Sequence, residues 1–218
     1  MLYYKMEVRN RQLTDKYVDN YHQALFSNSA VLASARNIDY EIGEIIFKKS
    51  MPIASLTYIE SGLVMVMDGG GYTKNISVLY TKGDFICASE VLENKYYSST
   101  AVAADYTRTY VINLGRLKQN LVINDNELLQ VLNPLKWKDI LKYNQRANEL
   151  KQDIDDRVYN YLRFLSDKVY NSPRFSLGMS RSEISNYLGI NQKSFIQSLN
   201  DLQARKKIYF DGKTIIVF

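Results

Sequence analysis

Residues 181–202, R-S-E-I-S-N-Y-L-G-I-N-Q-K-S-F-I-Q-S-L-N-D-L, restrict the fold more than any other stretch of the chain. Ile184, Leu188, Ile190, Phe195, Leu199 and Leu202 recur at helical spacing, which predicts two short helices packed on each other around a tight turn at Gly189. Asn191, Gln192, Lys193, Ser194 and Gln197 fall on the face left free, a polar surface suited to base edges. A basic run, Arg205, Lys206 and Lys207, follows. Beyond it Asp211-Gly212 separates the apolar runs 208–210 and 214–218, a hairpin signal because both residues tolerate the positive φ of a type I′ turn. Two amphipathic helices and a hairpin also occur as an ordinary packing unit. The glycine turn, the polar second helix and the basic flank agree instead on a winged helix-turn-helix that reads DNA.

The run S-R-S-E-I-S-N-Y-L-G-I at 180–190, the polar helix after it and the ending I-Y-F-D-G-K-T-I-I-V-F resemble the C-terminal domain of the Crp/Fnr superfamily of bacterial transcription regulators. Upstream, Y-E-I-G-E-I-I-F at 40–47, L-T-Y-I-E-S-G-L-V at 56–64 and K-G-D-F-I at 82–86 are similar to three successive signatures of that family's cyclic-nucleotide-binding β-roll, in its order and approximate spacing. The similarity covers about residues 38–218. Ser50 departs from it, standing where the family commonly has a glycine in an early turn.

The resemblance implies an α+β chain: an antiparallel, jelly-roll-like β-roll over residues 1–124 with an N-terminal helix, a dimerisation helix over 125–153, and a winged-helix DNA-binding domain over 154–218. Among recognition residues it singles out Gln192, Lys193 and Gln197, where well-studied members carry Arg, Glu and Arg. Glutamine can pair bidentately with the adenine edge, which predicts an A·T-richer half-site. Ser180, Arg181 and Lys213 are expected on phosphates. Family members that bind cyclic nucleotides carry a glutamate for the ribose hydroxyl and an arginine for the phosphate. Here Ala88 and Ser98 stand at those positions, with Glu90 and Ser99 nearby, so the effector pocket is expected to be degenerate.

Between the two ends, residues 38–114 are rich in β-branched and aromatic side chains, with turn breaks at Gly43, Pro52, Gly62, Gly69-Gly70-Gly71 and Gly83, as a small antiparallel roll requires. The triple glycine predicts an exposed hairpin tip. Leu13, Tyr17, Tyr21, Ala24 and Leu25 predict a short N-terminal helix capping the roll. Residues 125–153 read as helix, with a break at Pro134 and a continuous run from about Leu135. In it Trp137, Ile140, Asn144, Ala147, Lys151 and Ile154 approximate a coiled-coil seam, with Leu141 and Leu150 widening the stripe. A helix packing on its own roll would need a stripe as well; the resemblance favours a homodimer. The charge cluster at 152–156 predicts a hinge before a helix over 157–170.

Composition excludes other chemistries. The 218 residues suffice for two modest domains, and the net charge of +5 is concentrated at the C-terminal end, as phosphate neutralisation requires. Cys87 is the single cysteine, which leaves no intrachain disulfide and no all-cysteine iron–sulfur cluster; it reads as a small buried residue, a redox role being the alternative. His22 is the single histidine, against any cupin-type metal centre. No metal and no cofactor is expected, and no catalytic set is found: no nucleophile elbow, no Gly-x-Gly-x-x-Gly. Without a long uncharged apolar run or a secretory signal in residues 1–11, a cytoplasmic protein without membrane contact is expected. The partners expected are double-stranded DNA and a second copy of the chain, with RNA polymerase and an unidentified small-molecule effector as further partners the resemblance allows. A signalling adaptor using the same dimer for protein contacts is the alternative.

Overall fold

The computed structural model describes residues 28–68 and 75–218. The expected N-terminal helix at 13–25, His22 and the Gly69-Gly70-Gly71 tip lie outside the described residues. The elements are α1 (Ser29–Ser34), β1 (Ala35–Tyr40), β2 (Ile45–Phe47), β3 (Ser55–Ser61), β4 (Leu63–Asp68), β5 (Asn75–Thr81), β6 (Phe85–Ile86), α2 (Ala88–Glu93), β7 (Thr100–Ala103) and β8 (Thr107–Asn113). Then come α3 (Leu114–Leu121), α4 (Asp125–Glu149), α5 (Ile154–Phe164) with a π-helical turn (Leu165–Tyr170), β9 (Arg174–Ser176), α6 (Arg181–Leu188), α7 (Gln192–Ala204), β10 (Ile208–Asp211) and β11 (Thr214–Val217).

Two antiparallel sheets, ordered β1-β8-β3-β6 and β2-β7-β4-β5, face each other and form the expected roll. Leu56, Ile59, Phe85, Ile86 and Ile112 of the first meet Phe47, Val64, Val66, Val78, Tyr80 and Ala101 of the second. Leu117, Leu132 and Leu135 close one end of this core. In β4 the run Leu63-Val64-Met65-Val66 is buried on both faces: Val64 and Val66 point into the roll, while Leu63 and Met65 belong to a second core. That second core continues through Ile76, Leu79 and Val102 into Leu162, Phe175, Ile184, Leu188, Phe195 and Leu199, so the winged helix is docked on the outer face of its own roll.

Two turns show how backbone demands override residue type. Ser50 adopts φ +67°, the left-handed geometry that a glycine supplies most readily. Gly62, at φ +104°, admits no side chain, because a Cβ there would lie 2.6 Å from the Cα of Thr107.

Three expectations are corrected. The central helix does not break at Pro134 but runs through it from Asp125 to Glu149, opened by a capping box in which Asn124 and Glu127 exchange bonds of 3.0 and 2.9 Å. A proline inside a helix costs roughly 3 kcal/mol. Leu132 and Leu135 on either side of it are almost wholly buried against the roll, and this packing holds the helix straight through. The break between the two helices lies at 150–153, earlier than expected, and the next helix begins at Ile154 with Asp153 as its N-cap. Ile154 therefore starts α5 and cannot extend a seam along α4. In the wing, Asp211 pairs with Thr214, leaving Gly212 and Lys213 as the loop. Of these two only Gly212 has positive φ, +61°, the signature of a type II′ turn instead of type I′. The wing also gains a third strand, β9, which pairs with β11.

Candidate nucleic-acid interface and the closed roll pocket

The helix-turn-helix forms from local signals. Ser180 caps α6, its Oγ 3.2 Å from the Glu183 amide, while Glu183 Oε2 accepts from the Ser180 amide at 2.8 Å. Gly189 closes α6 at φ +64°, and Asn191 opens α7 by accepting from the Ser194 amide at 2.8 Å. On α7 Phe195, Ser198, Leu199 and Leu202 are buried, and Ser198 donates to Asp155 of α5 at 2.7 Å. This leaves Gln192, Lys193 and Gln197 exposed on the opposite face.

The sequence-predicted DNA-contact residues thus divide. Gln192, Lys193 and Gln197 share the exposed face of α7, with the Gln197 amide donating to Asp201 at 3.1 Å. Arg181 and Lys213 are exposed, at the start of α6 and the tip of the wing. Asn191 and Ser180 are also exposed, but their side chains are committed to capping helices; Ser194 is half-buried. The basic run is partly structural: Arg205 pairs with Asp155 at 3.0 Å, and the Lys207 ammonium lies 4.8 Å from the Tyr159 ring centre.

On the central helix the roll takes one face and leaves another. Leu132, Leu135 and Asp139 are buried there and Arg146 is buried against Tyr187 of α6, whereas Trp137, Asn144 and Ala147 are exposed and Ile140 and Leu141 half-buried. The stripe proposed as a seam is therefore not the stripe that packs on the roll. Ile154 is exposed near the turn of the helix-turn-helix, where it borders an open cleft with Asn75, Arg157, Asn186 and Ser194.

At the roll pocket, Cys87 takes φ +51° and precedes α2, whose first residue Ala88 is buried. Burial pushes the Cys87 thiol well above its usual range, which suppresses the thiolate on which cysteine reactivity depends. The Glu90 carboxylate accepts from the Ser98 amide at 2.7 Å and from Ser99 Oγ at 3.1 Å. A second carboxyl reaches the same helix from α4: Asp139 accepts from the Ser89 amide at 3.0 Å, from Ser89 Oγ and from Tyr80 OH. Burial raises the Asp139 carboxyl above its ordinary range, against the lowering effect of those hydrogen bonds, and burial raises Tyr80 well above its own. Beside them Asp84 is held by Lys142 at 2.7 Å and Lys138 at 3.5 Å. A cavity of only about 10 Å³ remains between Tyr80, Leu135, Lys138 and Asp139, room for one water at most.

An anion seated here would meet the Glu90 carboxylate already on the donors of Ser98 and Ser99. Asp139, Tyr80 and Ser89 were missed by sequence reasoning. An aspartate beside Trp137 and Ile140 on a long helix carries no local sign of burial. Among the described residues, no cluster of His, Cys, Asp and Glu could hold a metal ion, and no helix is long and apolar enough to cross a membrane.

Residues 37–124 match the family described as the cyclic nucleotide-binding domain. No curated protein matches the chain in sequence. Among solved structures, FixK2 from Bradyrhizobium japonicum is similar with a TM-score of 0.70 at 18% identity, over 84% of this chain and 92% of that one. The c-di-GMP responsive global regulator CLP of Xanthomonas campestris gives 0.66 at 21% identity, over 87% and 96%. A CRP-family transcriptional regulator from Thermus thermophilus gives 0.66 at 19% identity, over 83% and 91%. Both the roll and the winged helix are thus shared in fold.

Proposed function

We propose that this chain, which carries a cyclic-nucleotide-binding-like domain within the fold of Crp/Fnr-type regulators, is a homodimeric, sequence-specific DNA-binding transcription regulator that responds to no cyclic nucleotide. The observation that carries the reading is the exposed set Gln192, Lys193 and Gln197 on a capped helix whose opposite face is anchored by Phe195, Leu199 and Leu202. A major groove about 12 Å wide accepts such a helix, and glutamine and lysine reach purine edges from it. Arg181 at the start of α6 and Lys213 in the wing are available to phosphates, which would set register without carrying sequence.

The exposed face of α4 supports the dimer. Trp137 is 58% exposed on a helix whose other face packs on the roll, and a second copy would cover it together with Ile140, Leu141, Asn144 and Ala147. Two-fold symmetry would place the recognition helices on half-sites about one turn, roughly 34 Å, apart. A polymerase contact would follow from activation but has no surface feature of its own here. The test is selection of bound duplexes from a random pool, followed by titration against salt. An enriched inverted repeat supports the reading; equal affinity for the enriched and the random duplexes, or no binding at low salt, would sink it and leave a protein-contact role.

A further inference from the structure

We propose that the effector site of the roll is filled from within, by the Asp139 side chain acting as a tethered carboxyl ligand that latches the central helix to the roll without any diffusible effector. The inference rests on the reading of this end of the roll as the degenerate effector site.

The argument starts from donors. The segment that opens α2 presents the Ser89 amide and hydroxyl, and β5 presents the Tyr80 hydroxyl; all three converge on one carboxyl group, that of Asp139. Asp139 is 2% exposed and Tyr80 wholly buried, so neither can exchange its partner for water without moving the helix. Acidic side chains are rarely buried to this degree unless partnered, and the partners here come from two elements of the roll while the carboxyl comes from a third. A carboxyl presents the same two-oxygen acceptor face as part of a phosphate or carboxylate ligand, so the cradle is one that recognises an anion's oxygens. The adjacent charges close the arrangement: Lys138 and Lys142, on either side of Asp139 in the chain, both turn to Asp84 of the β5–β6 turn. One turn of α4 thus delivers a carboxyl and two ammonium groups to complementary groups of the roll.

The consequence is regulatory. A free ligand in this cradle would have to bridge the roll and the long helix. Here a residue of the helix makes that bridge itself, so the helix that carries the dimer seam and leads into the winged helix is held in one register at all times. The Glu90 carboxylate on Ser98 and Ser99 completes a pocket whose donors are already taken.

Hydrogen exchange of the full-length protein tests the latch without DNA. Asp139→Ala should speed exchange of the amides of 135–146 by about tenfold or more over the wild type. Sodium formate, whose carboxylate fits the space vacated, should restore slow exchange, whereas equal sodium chloride should not. Unchanged exchange in α4 would overturn the proposal. So would acceleration that formate fails to reverse, since loss of packing alone would explain it. If Asp139→Ala unfolds globally, seen as uniform fast exchange, Ser89→Ala and Tyr80→Phe take its place: each should speed exchange in the same segment, and no change in either overturns the latch. Because no readout involves DNA, its failure leaves the regulator reading standing, and failure to bind DNA leaves the latch intact.

Discussion

The Arg146 guanidinium lies 3.9 Å from the centre of the Tyr187 ring, joining the last turn of the central helix to the first helix of the helix-turn-helix. Arg146 is 7% exposed, and its Nη1 has only Glu149 at 4.0 Å, so the ring face is its principal partner. Tyr187 in turn packs 5.8 Å from Tyr161 of α5. The same junction is tied by Asn186, which accepts from the Ile76 amide at 2.7 Å, and by Arg157, which donates to the Leu188 carbonyl at 2.8 Å.

A buried cation–π contact contributes about 2 kcal/mol. Arg146→Ala should lower the thermal midpoint by a few degrees and expose the 184–188 amides to exchange. Arg146→Lys should recover only part of this, because an ammonium lacks the planar face. Equal midpoints for the wild type and the alanine variant would show that the contact contributes nothing to docking.

The exposed stripe on α4 predicts assembly. Ile140→Glu with Ala147→Glu places like charges across a two-fold contact. Light scattering should then give the monomer mass, and binding to the selected duplex should weaken sharply. A variant that still scatters as a dimer assigns the interface to another face.

Cyclic AMP and cyclic GMP should give no heat at micromolar concentrations in calorimetry. Loss of a buried charged partner costs several kcal/mol, enough to move a micromolar site past millimolar. A micromolar signal from either would require the Glu90 carboxylate to leave Ser98 and Ser99, and would refute the closed pocket.

On DNA, Gln192→Ala and Gln197→Ala should each relax preference at one base pair at a cost of about 1–3 kcal/mol. Arg181→Ala and Lys213→Ala should instead weaken all duplexes alike and flatten the salt dependence. Equal losses on selected and random duplexes for the glutamine variants would remove them from base reading.

The raised Asp139 carboxyl gives a signed pH dependence. Its ordinary value is 3.8, and between that and the higher folded value the folded state holds more protons than the unfolded one. The stability it contributes is therefore fully present below the ordinary value and declines as pH rises through the folded one. Asp139→Asn should remove this slope, so the urea midpoint of the wild type relative to the variant should fall on going from acid to neutral pH. A difference that grows with pH would mean the carboxylate is the favoured form.

How much was legible depended on whether the cause lay in neighbouring residues. The helix-turn-helix and the wing could be read because the turns at Gly189 and Gly212 are set within a few residues, and the α7 face followed from a period that Phe195, Leu199 and Leu202 impose; Ser180 and Asn191, expected on DNA, were not read as the helix caps they are. The roll strands showed for the same reason, in their β-branched runs and turn glycines. Alanine at position 88 and serine at 98 were legible as residue types, but that Glu90 holds the Ser98 amide and the Ser99 hydroxyl was not.

Tertiary packing decided the rest. Local rules break a helix at Pro134, yet Leu132 and Leu135 find the roll on both sides of it, and that burial outweighs the lost hydrogen bond. The docking of the winged helix on β4 and β5, the ring under Arg146 and the donors around Asp139 all join residues remote in the chain. Ser89 and Asp139 are 50 positions apart, and Ile76 and Asn186 are 110. Sequence specifies each partner's chemistry, but which partner it meets depends on chain closure over those separations, which no local period encodes.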